Sequence, residues 1–588
     1  MAAMKRAMAY WGPDGSSEWI EGPIGLGHLM HRTTPESLYE KHPLTSACGN
    51  FILIAHARID NRKELFDQLS IPVQLQKKMP DNELIMKAWE KWGRECPKFL
   101  IGDWIFALFD KRRYRLFLAR DHFGISGLYY YKTEKQFIFA SSLKGLFALS
   151  AIHRELNSNS LTHFLTRTPW PIGETLYKDI MQVIPSNRIQ VSQSRFQMEQ
   201  YWTIENTQDT RFSSDDDYIE AFMELYTEAV KARLRSIKPV GTLLSGGLDS
   251  GSVSALAARE LKQQGKVLHT FSSVPLYDVS HIKFGPNRFL DETPYIKSTV
   301  DFCNTIPHLI KARQMSPTKG VQTGFNISLL PMRTPVNQYW IYSLFEKAKK
   351  ENIGVLLSGQ KGNLTVSWKG EPEKHTRIQA LIYMLKNGTK IFPTLSLKVQ
   401  SLYLREINRP RNIWEIWSSL LNPEFLDPMA IKKPANQGAF SLRDRLKITH
   451  ASLGVSPYET GAWFNLEIRD PTADKRVVEY CYSLPNDQYW RQGTSRFLIR
   501  RSMAGLLPDK VRLNPRRGKQ AGDLGSRVLN DPDLAPILTT LYKSPWFAKV
   551  FNVKQIKELQ RNTDRTLLEN IALVKIIMTG LFLMNLES

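Results

Sequence analysis

Cysteine is scarce and scattered. The chain holds four, Cys48, Cys96, Cys303 and Cys481, with no CxxC pair among them, which excludes a disulfide framework and a zinc-binding signature. No secretory hydrophobic segment opens the sequence, and the apolar stretch "IALVKIIMTGLFLMNLE" near its end is interrupted by Lys575. Neither a signal peptide nor a membrane span is expected. Internal repeats and low-complexity tracts are absent as well. A Walker loop, G-x-x-x-x-G-K-[ST], is also missing; its nearest approach, "GVLLSGQK" at 354 to 361, has Gln360 where the lysine belongs. The expectation is a cytoplasmic protein without a zinc site, whose nucleotide chemistry uses another kind of loop.

Positive charge is what the chain has in excess: 79 Lys and Arg against 57 Asp and Glu, a net +22. Such an excess attracts anions, ATP among them. The basic residues are spread along the chain, densest in "RFLIRRSMAGLLPDKVRLNPRRGK" at 496 to 519, and no nucleic-acid partner is expected. At 588 residues the chain is too long for one core, so two domains are expected. The first, 1–205, contains "GNFILIAHARIDNR", "GDWIFALFDKRRYRLFLARD" and "GLYYYKTEKQFIFASS", whose alternation of apolar and polar residues predicts stacked antiparallel sheets, with "DNELIMKAWEKWG" as a helix between hairpins. In the second, 215–588, helical segments alternate with the apolar strands "VGTLLS", "VLHTFSSV" and "IGVLLSG", the pattern of a parallel α/β sheet.

The first of those strands runs into "TLLSGGLDSGSVSALAARE", where two glycines, an aspartate and three serines separate an apolar strand from a helix that reaches Gly265. Glycine lets the backbone approach a ligand closely, and the free N–H groups of a helix's first turn favour an anion. Ser-Gly-Gly-x-Asp-Ser resembles the pyrophosphate loop of ATP-pyrophosphatases, enzymes that cleave ATP between its α and β phosphates. The resemblance implies that Ser245, Ser250 and the backbone of Gly246 and Gly247, next to Leu244, hold pyrophosphate oxygens while Asp249 reaches Mg²⁺. The other two strands end in Ser273 and in Ser358-Gly359. Ligands of parallel sheets bind beyond the strands' carboxyl ends, so these residues are expected around the same nucleotide.

The resemblance extends in both directions. "WGPDGS", "LGHLMHRT", "ARIDNRKEL", "GDWIFALFD", "ARDHFGISGLYYY" and "FASSLKGL" resemble, in that order, the class II glutaminase domain of asparagine synthetases, and "LDETPYI" at 290 to 296 with "RDPTADKRVVEYCYSLP" at 469 to 485 resemble their synthetase domain. That glutaminase works through an N-terminal cysteine. The sequence begins "MAAMKRAMAY", and the family's "NGEIYN" glutamine pocket reads His56-Ala57-Arg58-Ile59-Asp60-Asn61. The expected fold is therefore an antiparallel glutaminase-like sandwich without its catalytic cysteine, joined to a parallel α/β ATP-pyrophosphatase domain. His56 and His122 are expected to pack within the first domain. The family's second acidic motif, S-G-D-G-A-D-E, is here Ser358-Gly359-Gln360-Lys361-Gly362-Asn363-Leu364. Asn363 thus stands at a second metal-ligand position, leaving Asp249 as the main ligand, with Asp291, Glu292, Asp470 or Asp474 as candidate helpers.

"LLSGQKGNLTVSWKG" together with "NPRRGKQAGD" at 514 to 523 resembles the lasso-peptide cyclases, a branch of the same family. The resemblance implies a macrolactam synthetase that uses ATP and Mg²⁺ to adenylate an Asp or Glu side chain of a ribosomal precursor peptide and joins it to the peptide's N-terminal amine. It also implies a leader peptidase and a leader-recognition protein as partners. A cation must stabilise the α-phosphate and the oxyanion; the candidates are Arg517 and Lys519, between which the sequence does not choose. The stretch from about 370 to 465, with Tyr403, Trp414, Trp417 and Trp463, is a candidate wall for the peptide. Adenylation of a small carboxylate, as in a β-lactam synthetase or an ammonia-dependent asparagine synthetase, is the alternative within the same chemistry. An RNA-modifying pyrophosphatase and a non-catalytic peptide scaffold are the readings outside it.

Overall fold

A computed structural model describes residues 1–166, 171–282, 287–332, 334–371, 413–425 and 457–587. The first domain carries a six-stranded antiparallel sheet in the spatial order Phe196–Gln200, Asn187–Val191, Arg115–Arg120, Gly102–Asp110, Phe51–Ile59, Leu44–Thr45. A three-stranded sheet built on Tyr129–Lys132 shares an apolar core with one face of the large sheet: Ile54, Ile105 and Leu118 meet Leu128 and Tyr130. The other face is covered by the helix Asp81–Trp92, which buries Leu84, Ile85 and Ala88 and stops at Gly93, where φ is +55°. This is the expected sandwich, and alternation along the strands produces it because each sheet is apolar on the side it buries.

Helix Asp215–Ala232, started by a capping box between Ser214 and Asp217, opens the second domain. Its sheet is parallel throughout, in the order Ile306–Ile310, His269–Ser273, Val240–Leu243, Val355–Leu357, Glu467–Arg469. The three strands foreseen from sequence are the central three. Helix Leu567–Met584 satisfies the length and apolar composition of a membrane span, but 67% of that stretch is buried and it packs in the domain core.

The two domains share a core as well as a boundary: Trp11, Leu143, Leu161 and Tyr177 of the first cluster with Val321, Tyr342 and Ile577 of the second. Trp417 belongs to this junction, buried and donating its indole N–H to the Leu165 carbonyl at 2.8 Å. Trp463 lies at the same junction, stacked edge-on with Tyr10 and covered by the Lys144 ammonium. Both aromatics therefore join the domains, which corrects their assignment to a peptide-holding wall; Tyr403 and the Trp414 side chain lie outside the described residues.

A buried ion network crosses the same boundary. Arg58 contacts Asp60 at 2.9 Å and Asp103 at 2.7 Å on its own domain, and Glu467 of the second domain at 3.0 Å. Arg233 runs the other way, bridging Asp474 at 2.7 Å and Asp60 at 3.3 Å. Burial pushes the Glu467 carboxyl up, but Arg469 and Arg58 beside it overcome this and hold it well below the usual range. His56 is not confined to its own domain as expected; its ring lies 3.8 Å from that of Tyr458 in the second. His122 does stay, packed edge-on against Trp104, Tyr201 and Trp202.

Two predictions follow from this boundary. Removing one partner leaves its counter-charge buried, which typically costs about 3–5 kcal/mol, so Arg58→Met is expected to lower the urea unfolding free energy by that amount. Burial also depresses the pKa of His28 and His31 and brings His42 and His56 to about 3. An unfolded histidine takes up its proton near pH 6.5 while the folded one refuses it, so stability falls as pH drops from about 6.5 towards 3, by about 1.4 kcal/mol per unit for each such histidine. Equilibrium unfolding across that window should show the slope, shallower in His56→Phe; a flat profile contradicts the assignment.

Candidate active site

Strand Val240–Leu243 ends at Leu244, and helix Leu248–Gln263 starts with Gly247 as its N-cap and no side-chain cap. The orphan N–H groups of that first turn are therefore open to a ligand. Between strand and helix the loop is held by its own serines: the Ser245 N–H donates to Ser250 Oγ at 2.9 Å, and the two hydroxyls lie 2.8 Å apart. The Gly246 N–H donates to Glu292 Oε2 at 3.0 Å. A carboxylate oxygen thus takes a backbone donor that the sequence assigned to pyrophosphate, which shows the loop's preference for anionic oxygen.

A cavity of about 910 Å³ lies over this loop, and it gathers the nominated residues: Leu244 to Asp249 and Ser250, Ser273, Ser358, Gly359, Asn363, Arg517 and Lys519. Ser358 follows strand Val355–Leu357, and its hydroxyl is 93% buried in residue terms yet has no hydrogen-bond partner among the described residues. An unsatisfied buried hydroxyl is costly in a finished core; on a cavity wall it is a ligand contact in waiting.

Asp249 sits behind the loop. Ser367 donates to its Oδ1, and the chain of the following motif crosses so close that a Cβ on Gly362 would fall 2.6 Å from that same oxygen. Glycine is required there by contact, independent of any turn. Burial raises the Asp249 pKa, Asp470 adds to this, and the Ser367 hydrogen bond with Arg496 and Arg517 counters it. A divalent cation would relieve the same strain, and Mg²⁺ needs only one or two protein carboxylates when phosphates complete its shell. The residues present fit such an ion through Asp249.

The remaining metal candidates are resolved. The Asn363 amide oxygen accepts from Arg496 Nη2 at 2.9 Å, so an arginine occupies the place offered to a metal. Asp291 is exposed and caps Thr293, and Asp474 is spent on Arg233 and Arg476. Asp470 accepts the Lys361 N–H at 2.9 Å and the Thr472 N–H at 3.0 Å, fixing the end of strand Glu467–Arg469 to the motif loop. Among the described residues no cluster of three or more His, Cys, Asp or Glu is arranged for a metal.

Among the described residues, five cations line the cavity: Arg288, Arg496, Arg516, Arg517 and Lys519. A two-residue parallel pairing brings them together, Arg288 opposite Arg517, with the Arg517 N–H bonded to the Asn287 carbonyl at 3.0 Å and the Lys519 N–H to that of Phe289 at 2.9 Å. Crowding is visible in their titration. Burial, then Arg517 nearby, brings Arg496 down to about 10, and burial with Arg288 lowers both Arg517 and Lys519. Asp249 feels Arg517 and Arg496, whereas Arg288 is the neighbouring charge that bears on Lys519. Of the two candidate cations, Arg517 is the one whose charge bears on Asp249. Arg496, Ser367 and Arg288 escaped the sequence reading; the density of arginines from 496 onward was the only signal for the first.

Substituting Asp249 by Ala is expected to abolish ATP-dependent turnover while circular dichroism and the urea midpoint stay near those of the parent. Removing a single cation from such a site costs about 10²–10³ in rate, and Arg517→Ala should lose more than Lys519→Ala. Retained turnover in the Asp249 variant contradicts the site.

Comparison with known proteins agrees with this architecture. Residues 1–202 match a glutamine amidotransferase domain, and residues 221–572 match asparagine synthase. Asparagine synthetase [glutamine-hydrolyzing] 3 of Bacillus subtilis is 26% identical over 87% of this chain and 82% of its own. A putative asparagine synthetase [glutamine-hydrolyzing] 2 of Methanocaldococcus jannaschii is 30% identical over 52% of this chain, which spans 60% of that relative's length. Among solved structures, glutamine phosphoribosylpyrophosphate amidotransferase from B. subtilis is similar with a TM-score of 0.25 and 12% identity, over 48% of this chain and 65% of that one. The chain thus belongs to the asparagine synthase family, ATP-dependent amide-forming ligases, and carries the glutamine amidotransferase-type domain in front of the synthase domain.

Proposed function

We propose that the protein is a macrolactam synthetase of the lasso-peptide cyclase type, acting in the cytoplasm on a ribosomal precursor peptide alongside a leader peptidase and a leader-recognition protein. The observation that carries this reading is the state of the first domain's pocket. The residues that replace the glutamine-binding motif, His56, Ala57 and Arg58, line a space of only about 20 Å³, closed by Tyr458 and Glu467 of the second domain. About 10–15 Å³ is needed for a single water, so glutamine has no room there. The amine must then reach the synthase cavity as a substrate in its own right, which a peptide carrying both amine and carboxylate provides.

The chemistry uses the residues already placed. A side-chain carboxylate oxygen attacks the α-phosphorus of ATP, the bond to the β-phosphate's bridging oxygen breaks, and pyrophosphate leaves into the Ser245–Ser250 loop. Mg²⁺ held by Asp249 would neutralise the leaving pyrophosphate. Arg517 and Lys519 line the same cavity and would meet the negative charge that builds on the α-phosphate and, in the next step, on the tetrahedral oxygen. The peptide's N-terminal nitrogen then attacks the acyl carbon, loses a proton, and AMP departs, leaving an isopeptide bond. Holding amine and acyl carbon together is the larger part of the task, since such positioning can contribute about 7–11 kcal/mol.

Incubation of a leaderless core peptide with Mg-ATP is expected to give a product lighter by one water together with AMP, and no glutamate is expected from glutamine. AMP with free ammonia and aspartate, or glutamate release at an enzyme-like rate, overturns the reading in favour of asparagine synthesis.

A further inference from the structure

Part of the same cavity's wall is an apolar arm supplied by two helices. Helix Gln338–Lys350 turns Trp340, Ile341 and Phe345 towards it, three residues within two turns on one face, with Val336 just ahead of the helix. Opposite them, Leu567 and Ile571 present the first turn of helix Leu567–Met584. Val336, Trp340, Ile341, Leu567 and Ile571 are half-buried, packed on the core behind and open to the cavity in front. An apolar wall facing a wet cavity is stabilised by whatever apolar group covers it.

Free aspartate is poorly matched to this arm. Among the described lining residues the three carboxylates each have a partner: Asp249 in Ser367, Glu292 in the Gly246 N–H, and Asp523 in Arg527 at 2.9 Å and the Leu276 N–H at 2.7 Å. No other Asp or Glu among the described lining residues is left to meet an α-ammonium group. The lining cations suit phosphate rather than ammonium.

We infer that this arm is a side-chain subsite: it receives an aromatic or long aliphatic side chain of the acyl donor, next to the carboxylate being adenylated, and thereby selects peptide carboxylates with apolar neighbours over free aspartate. The inference rests on the peptide-ligase reading and names the part of the peptide that is recognised. Trp340 and Ile341, at the open face, set the preference; they contribute apolar contact and no charge to the phosphates, so the adenylation step itself does not depend on them.

The test is ATP–pyrophosphate exchange with Mg-ATP and blocked acyl donors that carry one carboxylate: acetyl-Gly-Asp-Gly-amide, acetyl-Phe-Asp-Phe-amide, their Glu counterparts, and free aspartate. A good apolar contact is worth roughly 10–200-fold in selectivity, so kcat/KM should be about tenfold or more higher for the Phe-flanked donors. In Trp340→Ala the ratio should collapse to about one while the Gly-flanked rate is kept; Ile341→Thr, a milder change, should lower it in the same direction if the first variant folds poorly. Equal rates for Phe- and Gly-flanked donors in the parent protein overturn the subsite and leave peptide adenylation standing. Exchange with free aspartate alone, or with none of the donors, overturns the subsite and the peptide reading together.

Discussion

Glu467 is the residue on which the arrangement of the molecule turns. It lies on the edge strand of the nucleotide sheet, yet its carboxylate is held by Arg58 from the other domain and by Arg469 two residues along its own strand, at 3.0 and 2.6 Å. That clamp fixes strand Glu467–Arg469, and the strand fixes the site. The Arg469 carbonyl accepts the Ser358 N–H at 2.8 Å, and Asp470 next to it accepts the Lys361 N–H. Through Gly362 and Ser367 the same segment presses against Asp249. The ion network around Arg58 and Glu467 therefore bears on the synthase domain, by aligning the sheet edge beside the Ser245–Ser250 loop. Buried ion pairs are weak sources of net stability but strict about geometry once formed, and strict geometry is what the loop requires.

Much of the site was legible because it is local. The loop from Leu244 to Ser250 is a strand, a turn and a helix start within seven residues, and its glycines and serines announce the turn without tertiary information. The parallel sheet was readable for a related reason, since buried strands on both faces give uninterrupted apolar runs. Ser367, Arg288 and Arg496 were not legible. Each reaches the site across a long sequence separation, and nothing in an isolated serine or arginine marks it for Asp249 or Asn363. Edge strand Glu467–Arg469 was hidden too, because its residues are charged; only the network across the domain boundary lets "EIR" be buried.

The aromatic residues show the same limit from the other side. A Trp-rich stretch reads as a surface for a large substrate, but Trp417 and Trp463 spend their rings on the domain junction. The apolar wall that faces the cavity comes from Gln338–Lys350, a helix whose sequence is an ordinary amphipathic pattern. Periodicity identifies the buried face of a helix; it does not say whether that face meets protein or a ligand space.

Taken with the chemistry, the two cavities make one argument. Burial, with neighbouring arginines adding to it, depresses the titration of Arg496, Arg517 and Lys519 and records the cost of holding these cations in the protein alone. A triphosphate offsets it, so the site is preorganised for charge that arrives with the substrate and departs with pyrophosphate. After departure the acyl-adenylate is exposed to any nucleophile present, water included. On the reading proposed above, with a space of only about 20 Å³ beside His56 and Arg58, protection comes from the substrate itself. On that reading, a peptide whose apolar side chain covers Trp340 and Ile341 excludes water from the reacting carbon and carries its own amine to it.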